Sequence, residues 1–464
     1  MAIRRAVVAV LAVLALGAAA WLPPRVAYTQ GPVGQWTAWP FLQNLENQDA
    51  QCLVSFYRED ATTPDPVFTV SVTVPANGSR FIPVYSYDQL GVFSGSMVVS
   101  CDRRVVAVTN VVNQGGAGSS YTGFEAGATE WAVPSVHAND WGWFTEISVQ
   151  NAGSSPVMAY IAFRASVRGQ DYSPPPVTIQ PGSVHRFDTS KFANQLDNIP
   201  GIDGFVGSAV VTSTGPVAVV VREWKTGEEA MTIAYNAIPA GEGGTEVFFP
   251  SQHNNNYGWH AWNYVFNSLN TPVDVQVQFT NKPAVTRQIP ARGSLLIDTL
   301  TYLGNEDYIG ALTVKCISCP AGTRPLSGIS NEVQIDPRFG RGALSYNAFY
   351  TGTTSVFFPS QHNKNYGWNA FNFIQNLSSF DANVRVEWVA DPASPSPAPP
   401  PFNVTIPANG QLQLHTYIHL GTQDFIGSLR VTSLNGARIV GICNENNERV
   451  PNLDATISYN GISQ

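Results

Sequence analysis

One passage of this chain returns four times, and that constrains its fold more than anything else in it. Residues 247–267 read VFFPSQHNNNYGWHAWNYVFN, and residues 356–376 read VFFPSQHNKNYGWNAFNFIQN. A diverged copy, VPSVHANDWGWFTEISVQN, fills residues 133–151, and a truncated one, WTAWPFLQN, fills residues 36–44. Trp36, Trp143, Trp259 and Trp368 are each followed eight positions later by an asparagine: Asn44, Asn151, Asn267 and Asn376. The steps between the tryptophans are 107, 116 and 109 residues. A period of that length means an array of whole domains, because solenoid repeats are much shorter. A residue present in every copy is then expected to serve the fold before it serves a single active site.

Other landmarks keep the same order. A Pro/Gly turn follows a strand at residues 74–78, 179–182, 289–293 and 406–410. An aromatic-x-Gly-Ser/Ala step leads into an apolar run at Gly95, Gly207, Gly310 and Gly427. Each copy closes on a tyrosine, namely Tyr121, Tyr235, Tyr346 and Tyr459. Between landmarks, apolar and polar residues alternate, as at Val273, Val275, Val277 and Phe279, the mark of a strand with one buried face. A helical period is absent after residue 30, apart from a short candidate at residues 190–196. Short strands punctuated by Gly, Pro and Asn predict an all-β chain of antiparallel β-sandwiches. The expected organisation is a signal peptide and leader at 1–30, then repeats at 31–125, 126–240, 241–350 and 351–464. Repeat 1 lacks the Pro-Ser-x-His strand that opens the others. An open sheet edge is therefore expected there, unless residues 26–30 fill it.

Arg4 and Arg5, the apolar residues 6–16 and the small residues Ala18, Ala19 and Ala20 read as a secretory signal. The apolar stretch is shorter than the roughly 18 residues of a spanning helix. It anchors the chain only if uncleaved, so no other transmembrane span is expected and the mature chain is placed outside the cell or on its surface. A net charge of −8 without a basic run argues against nucleic acid as a partner. Charged residues make up 12% of the chain, about half the usual share for a soluble domain, which suits a protein that packs against its own repeats, a matrix or a glycan. Export permits disulfides. Cys52 and Cys101 form the long-loop candidate, Cys316 and Cys319 a loop staple, and Cys443 is left unpaired and buried. No cofactor is expected.

His137, His253 and His362 share the frame Pro-Ser-x-His, with Ser135, Ser251 and Ser360 two residues earlier. On a strand or loop that spacing does not supply triad geometry, and no acid recurs with them, so they are read as turn-fixing side chains. A second polar column pairs Asn113 with Gln114, Arg222 with Glu223, Asn331 with Glu332, and Asn444 with Glu445. It offers at most one acid per copy, too few for glycoside hydrolysis. No catalytic residue and no metal ligand is therefore assigned. The sharper clue lies three and five residues after each tryptophan. There repeat 1 has Trp39 and Phe41, repeat 3 Trp262 and Tyr264, and repeat 4 Phe371 and Phe373, whereas repeat 2 has Glu146 and Ser148. These six aromatics form a candidate interaction surface, covered by a neighbouring repeat or another copy, by a loop of the same domain, or by a stacked sugar.

The phrases GSAVVTS at residues 207–213 and PVAVV at 216–220, preceded by Trp143 to Asn151, resemble secreted bacterial surface proteins built of tandem Ig-like β-sandwich modules. The resemblance is one of pattern over nearly the whole mature chain and carries no catalytic residues. It implies a surface or matrix role and no more. Residues and resemblance together predict a secreted, non-enzymatic array of four Ig-like antiparallel β-sandwich repeats with a structural or adhesive role, open to self-assembly. A carbohydrate-binding surface protein using the outward aromatics is the alternative, and a glycan-active hydrolase ranks third.

Overall fold

The structure is a computed structural model that describes residues 36–76, 79–113, 117–199, 204–226, 231–334, 336, 338, 341–391, 394–448 and 456–463, together with 6–7 and 13–15. The signal-peptide and leader readings otherwise lie outside the described residues. The chain divides into two compact units, 1–240 and 241–464.

Repeat 3 shows the pattern most completely. One set of strands runs in the order Val285–Ile289, Val273–Phe279, Tyr308–Cys316 and Glu246–Asn256. The other runs Ser294–Asp298, Trp259–Asn267, Leu326–Gln334 and Gly342–Asn347. All these pairings are antiparallel, and the hairpin at Asn254 and His260 joins the two sets. The alternating positions face each other across the core: Val247, Phe249, Val275, Val277, Leu312 and Val314 from one set, Val265, Ile297, Leu326 and Leu344 from the other. Repeat 4 repeats this order with Phe402–Ile406, Ala382–Ala390, Phe425–Ser433 and Ser355–Asn363, then Gln411–His415, Trp368–Asn376, Ile439–Asn447 and Thr456–Asn460. In repeat 2 the strand beginning at the glycine step runs on without a break as Phe205–Lys225 and serves both sets. In repeat 1 the sets are Phe68–Val74, Ala50–Arg58 and Phe93–Cys101, then Ser79–Phe81, Trp36–Asn44, Val105–Asn113 and Gly118–Thr122.

The recurring residues have recurring work. Each asparagine eight positions after the tryptophan is fully buried. Its amide donates to a carbonyl four residues on (Gln48, Ser155, Thr271, Phe380) and to the end of a neighbouring strand (Val74, Ile179, Pro290, Ile406). Its Oδ1 accepts the N–H two residues on, from Glu46, Gly153, Leu269 or Ser378. A side chain so bonded satisfies backbone groups that the turn leaves over. Asn376 heads a glycosylation sequon, but its burial leaves no room for a glycan. Gly207 and Gly427 sit where a Cβ would lie 2.0 Å from the Arg164 carbonyl oxygen and 2.1 Å from that of Val389, so no other residue fits there. The closing tyrosines Tyr235, Tyr346 and Tyr459 donate to the carbonyls of Ser135, Ser251 and Ser360.

Two expectations need correction. The free edge of repeat 1, at Phe93–Cys101, is paired with Val13–Ala15 and Ala6–Val7, so residues other than 26–30 occupy it. Among the described residues α-helix occurs as three single turns, Ala193–Leu196, Thr299–Leu303 and Thr416–Leu420, two of them too short to leave a readable period. Trp36 and Trp143 are buried, but Trp259 and Trp368, at their strand ends, are only half-buried. Cys52 and Cys101 are bonded across adjacent strands, Cys316 and Cys319 are bonded locally, and Cys443 is free and buried. No helix among the described residues is long and apolar enough to cross a membrane.

Candidate functional site

The histidine frame and the second polar column, read separately in the sequence, meet in space. His137 Nε2 lies 3.7 Å from Glu223 Oε2, His253 Nε2 3.8 Å from Glu332 Oε2, and His362 Nε2 3.9 Å from Glu445 Oε2. An acid therefore does recur with the histidines, which corrects the sequence reading. The column also needs realigning in repeat 1. Glu332 stands opposite Ala261, and its counterpart opposite Ala38 is Val111; Asn113 stands opposite Trp36. The one repeat without a histidine strand thus has valine in place of the glutamate.

A bulge at the Pro-Ser step makes the meeting possible. The pairing register shifts between Val133 and Val136, between Phe249 and Gln252, and between Phe358 and Gln361. An extra residue re-aims the side chains that follow it. In repeat 4 it leaves Ser360 Oγ 3.1 Å from His362 Nε2. A threonine fixes the strand from the other side, at the start of the 3-10 turn Thr189–Lys191 in repeat 2 and of the helical turns in repeats 3 and 4. Thr189, Thr299 and Thr416 donate to the carbonyls of His137, His253 and His362, and accept from the N–H of Thr145, Ala261 and Ala370. These threonines escaped the sequence reading; the signal for them was a short polar-Thr step after each Pro/Gly turn.

The grouping does not amount to a catalytic triad. There the acid holds one ring nitrogen while the serine uses the other. In repeat 4 serine and glutamate both address Nε2. In repeat 3 Ser251 and Glu332 are almost wholly buried, out of a substrate's reach. Burial pushes the Glu332 carboxyl up to about 8, offset in part by the Ser251 hydroxyl and the Asn444 amide. Burial holds the His253 imidazole down to about 4. At neutral pH this pair carries no charge. Repeat 2 differs. Burial alone would depress His137, but Glu223 and the hydrogen bond to Asp140 outweigh it and hold the imidazole above its ordinary value. No group of three or more His, Cys, Asp or Glu side chains among the described residues could hold a metal ion.

The six outward aromatics part company. Trp39 and Phe41 stay exposed, at 40% and 38%, and Phe41 meets Phe81 with ring centres 5.1 Å apart. Tyr264 and Phe373 are 2% and 3% exposed, while Trp262 and Phe371 are half-buried. Phe373 meets the ring of His253 in the preceding repeat, and Phe371 meets His415 and Tyr417 of its own. Tyr264 and Phe373 are therefore unavailable to a stacking sugar. In repeat 2 an ion cluster takes the place of the rings: Arg222 donates to Glu146 at 3.0 Å and Arg186 lies 3.4 Å from it. Burial would raise the Glu146 carboxyl, but Arg222 and Arg186 hold it below its ordinary value.

Another aromatic set went unnoticed in the sequence. Trp141, Tyr257 and Tyr366 tip the hairpins before the repeat tryptophan and are 81%, 68% and 74% exposed. Their φ angles are 50°, 48° and 48°, a left-handed conformation that bulky residues rarely adopt. The pattern aromatic-Gly-aromatic, as in Tyr257-Gly258-Trp259, was the available signal.

No protein-family model matches the chain, and no curated protein matches it. A solved structure of a tetra-tandem repeat in the extending region of a large adhesion protein aligns over 91% of this chain and 93% of its own. At 11% identity and a TM-score of 0.10 that likeness carries no argument.

Proposed function

We propose that this chain is a non-enzymatic structural or adhesive protein of the cell surface or extracellular matrix, exported by its N-terminal segment and built of four Ig-like β-sandwich repeats. The observation that carries the reading is where the recurring polar residues spend their bonds. Asparagine closes a turn in every repeat, threonine and tyrosine brace the bulge in repeats 2 to 4, and the Ser-His-Glu grouping is buried in repeats 2 and 3 and half-buried at Ser360 and His362 in repeat 4, where serine and glutamate share one ring nitrogen. A chain that repeats its scaffold residues and buries most of its reactive ones offers surfaces rather than a reaction centre. The test is attachment: beads carrying the full chain should be retained by cell-wall or matrix preparations. Hydrolysis of ester, peptide or glycoside substrates that vanished in Ser360→Ala or Glu445→Gln would contradict it.

Carbohydrate binding is the second reading, and the hairpin tips favour it. Holding Trp141, Tyr257 and Tyr366 in a left-handed conformation costs about 1–3 kcal/mol each, and each ring is exposed to solvent. Three such rings give weak sites that add through avidity. Titration with cell-wall oligosaccharides should show affinity falling with each ring changed to alanine. Affinity unchanged in the triple variant would remove this reading.

A further inference from the structure

The same sheet face makes the repeat-to-repeat contact in both units. In the first unit, Ala218, Val220 and Ala234 of repeat 2 enter the hydrophobic core of repeat 1. In the second, Phe373 and Ile442 of repeat 4 enter the core of repeat 3, and Val440 packs with Phe248. Register makes these equivalent: Ser148 pairs with Val220 as Phe373 pairs with Ile442, and Gln150 with Ala218 as Gln375 with Val440. The reciprocal amide bonds agree. Asn236 exchanges bonds with the backbone of Thr122, and Asn460 does so with that of Asn347.

In repeat 1 the matching positions are Phe41 with Val108 and Gln43 with Val106. Their counterparts on the strand Phe205–Lys225 and on Ile439–Asn447 are buried, but Val106 and Val108 are half-exposed beside the exposed Trp39 and Phe41. Among the described residues, repeat 1 thus presents the covering face exposed. The other half of the joint has its counterpart, exposed among the described residues, on repeat 4. Repeat 3 offers repeat 4 the buried residues Phe248, Pro250 and Gly310; Gln411 donates to the carbonyls of Pro250 and Gly310 at 2.5 and 2.9 Å. The same positions in repeat 4 are Phe357, Pro359 and Gly427. Pro359 is exposed and the other two half-exposed, with the Arg430 guanidinium over the Phe357 ring at 5.2 Å.

We propose that the outer face of repeat 1, centred on Trp39, Phe41 and Val108, binds repeat 4 of a second copy around Phe357 and Pro359, joining copies head to tail. This rests on the structural and adhesive reading and names its partner. The second copy is favoured because each unit makes this joint once, and because repeats 1 and 4 each present a matching half that is exposed among the described residues. A contact between unlike faces builds a filament, or a ring if the rotation closes. An exposed aromatic pair with valines beside it is the composition expected at the centre of such an interface.

Sedimentation of the full chain at rising concentration tests this with two variants, Trp39→Asp/Val108→Asp and Phe357→Asp, each checked for wild-type melting. The wild type should assemble. Either variant alone should stay monomeric over at least tenfold higher concentration. Mixed together they should form one-to-one dimers and nothing larger, since each keeps one intact face. A monomeric wild type at its highest soluble concentration, unchanged assemblies in the variants, or no dimer on mixing would each overturn the proposal. So would a monomeric wild type whose retention on cell-wall polysaccharide is lost with Trp39, which would give the face to a glycan. Attachment to cells by a chain that never assembles would sink this joint and leave the adhesive reading standing.

Discussion

Three residues after the repeat tryptophan, repeat 2 carries Glu146 and repeat 4 carries Phe371, and the joints around these positions differ in kind. In the first unit repeat 2 adds charged contacts with repeat 1 to the apolar contact of Ala218, Val220 and Ala234. Arg186 donates to Glu59 and, at 2.6 Å, to Ser94; His185 lies 2.6 Å from Asp60; and Arg222 stands over the Trp36 ring at 5.2 Å. In the second unit the same face uses amides and rings: Gln411 on two carbonyls, Gln375 on Thr313, and Phe373 on His253. The repeat interiors differ in the same way. Repeat 2 has Val136 and Ile147 where repeat 3 has Gln252 and Asn263, whose amides bond each other at 2.9 and 2.7 Å. One strand order accepts either chemistry, provided that every buried polar group finds a partner.

The largest contrast should come from removing Glu146. Glu146→Ala leaves Arg186 and Arg222 buried beside no carboxylate of their own repeat, a loss of about 3–5 kcal/mol. Calorimetry should show the transition of the first unit fall while that of the second stays put. If both move together, the two joints are not separate.

The disulfides come next. The Cys52–Cys101 loop spans 49 positions and the Cys316–Cys319 loop 3. On chain entropy alone the first is worth about 4 kcal/mol and the second about 2. Paired serine substitutions, followed by denaturant unfolding, should therefore weaken the first unit more. Equal losses would count against the loop-length account.

The pH response should separate the units by about 1.4 kcal/mol for each pH unit. In the second unit His253 is held neutral. Its contribution is present above its ordinary 6.5 and is lost as the pH falls toward about 4. Glu332 is held protonated, so its contribution is present below 4.5 and is lost as the pH rises toward about 8. Between pH 4.5 and 6.5 the two slopes cancel, and above 6.5 stability should decline. In the first unit Glu146 is held below its ordinary value, so its contribution is lost as the pH falls below 4.5. His137 is held above its ordinary value; its contribution is full below 6.5 and lost as the pH rises through the raised value. Acid should therefore lower the first transition more than the second. A second transition that rises from pH 6.5 to 8 would contradict the neutral Glu332–His253 pair.

The smallest effect belongs to the solvent-exposed end of the charged joint. Asp60→Asn removes the His185 contact and should cost less than about 1 kcal/mol, fading with added salt. A larger, salt-independent loss in denaturant titrations would mean that this contact, rather than Arg186, holds the repeats together.

Much of the fold was legible because its landmarks are local. The asparagine eight residues after the tryptophan and the alternating valines announce a turn and a strand from neighbouring residues alone. The His-Glu pairing was not legible, because its partners lie on strands distant in the chain and a bulge interrupts the count of two between Ser360 and His362. Asn113 misled the alignment by matching Asn331 in type while lying elsewhere in register. The fate of the outward aromatics was equally hidden. Phe41 and Phe373 occupy the same position in the same pattern, and only a neighbouring repeat makes one exposed and the other buried.

The central claim is that repeats work in pairs, with one sheet face as the joint. Calorimetry of the full chain addresses it directly. Paired repeats should unfold in transitions whose van't Hoff enthalpy is about 160 kcal/mol or more, as expected for some 230 residues melting together. Four transitions of about 75 kcal/mol each, one for every tryptophan repeat, would contradict it.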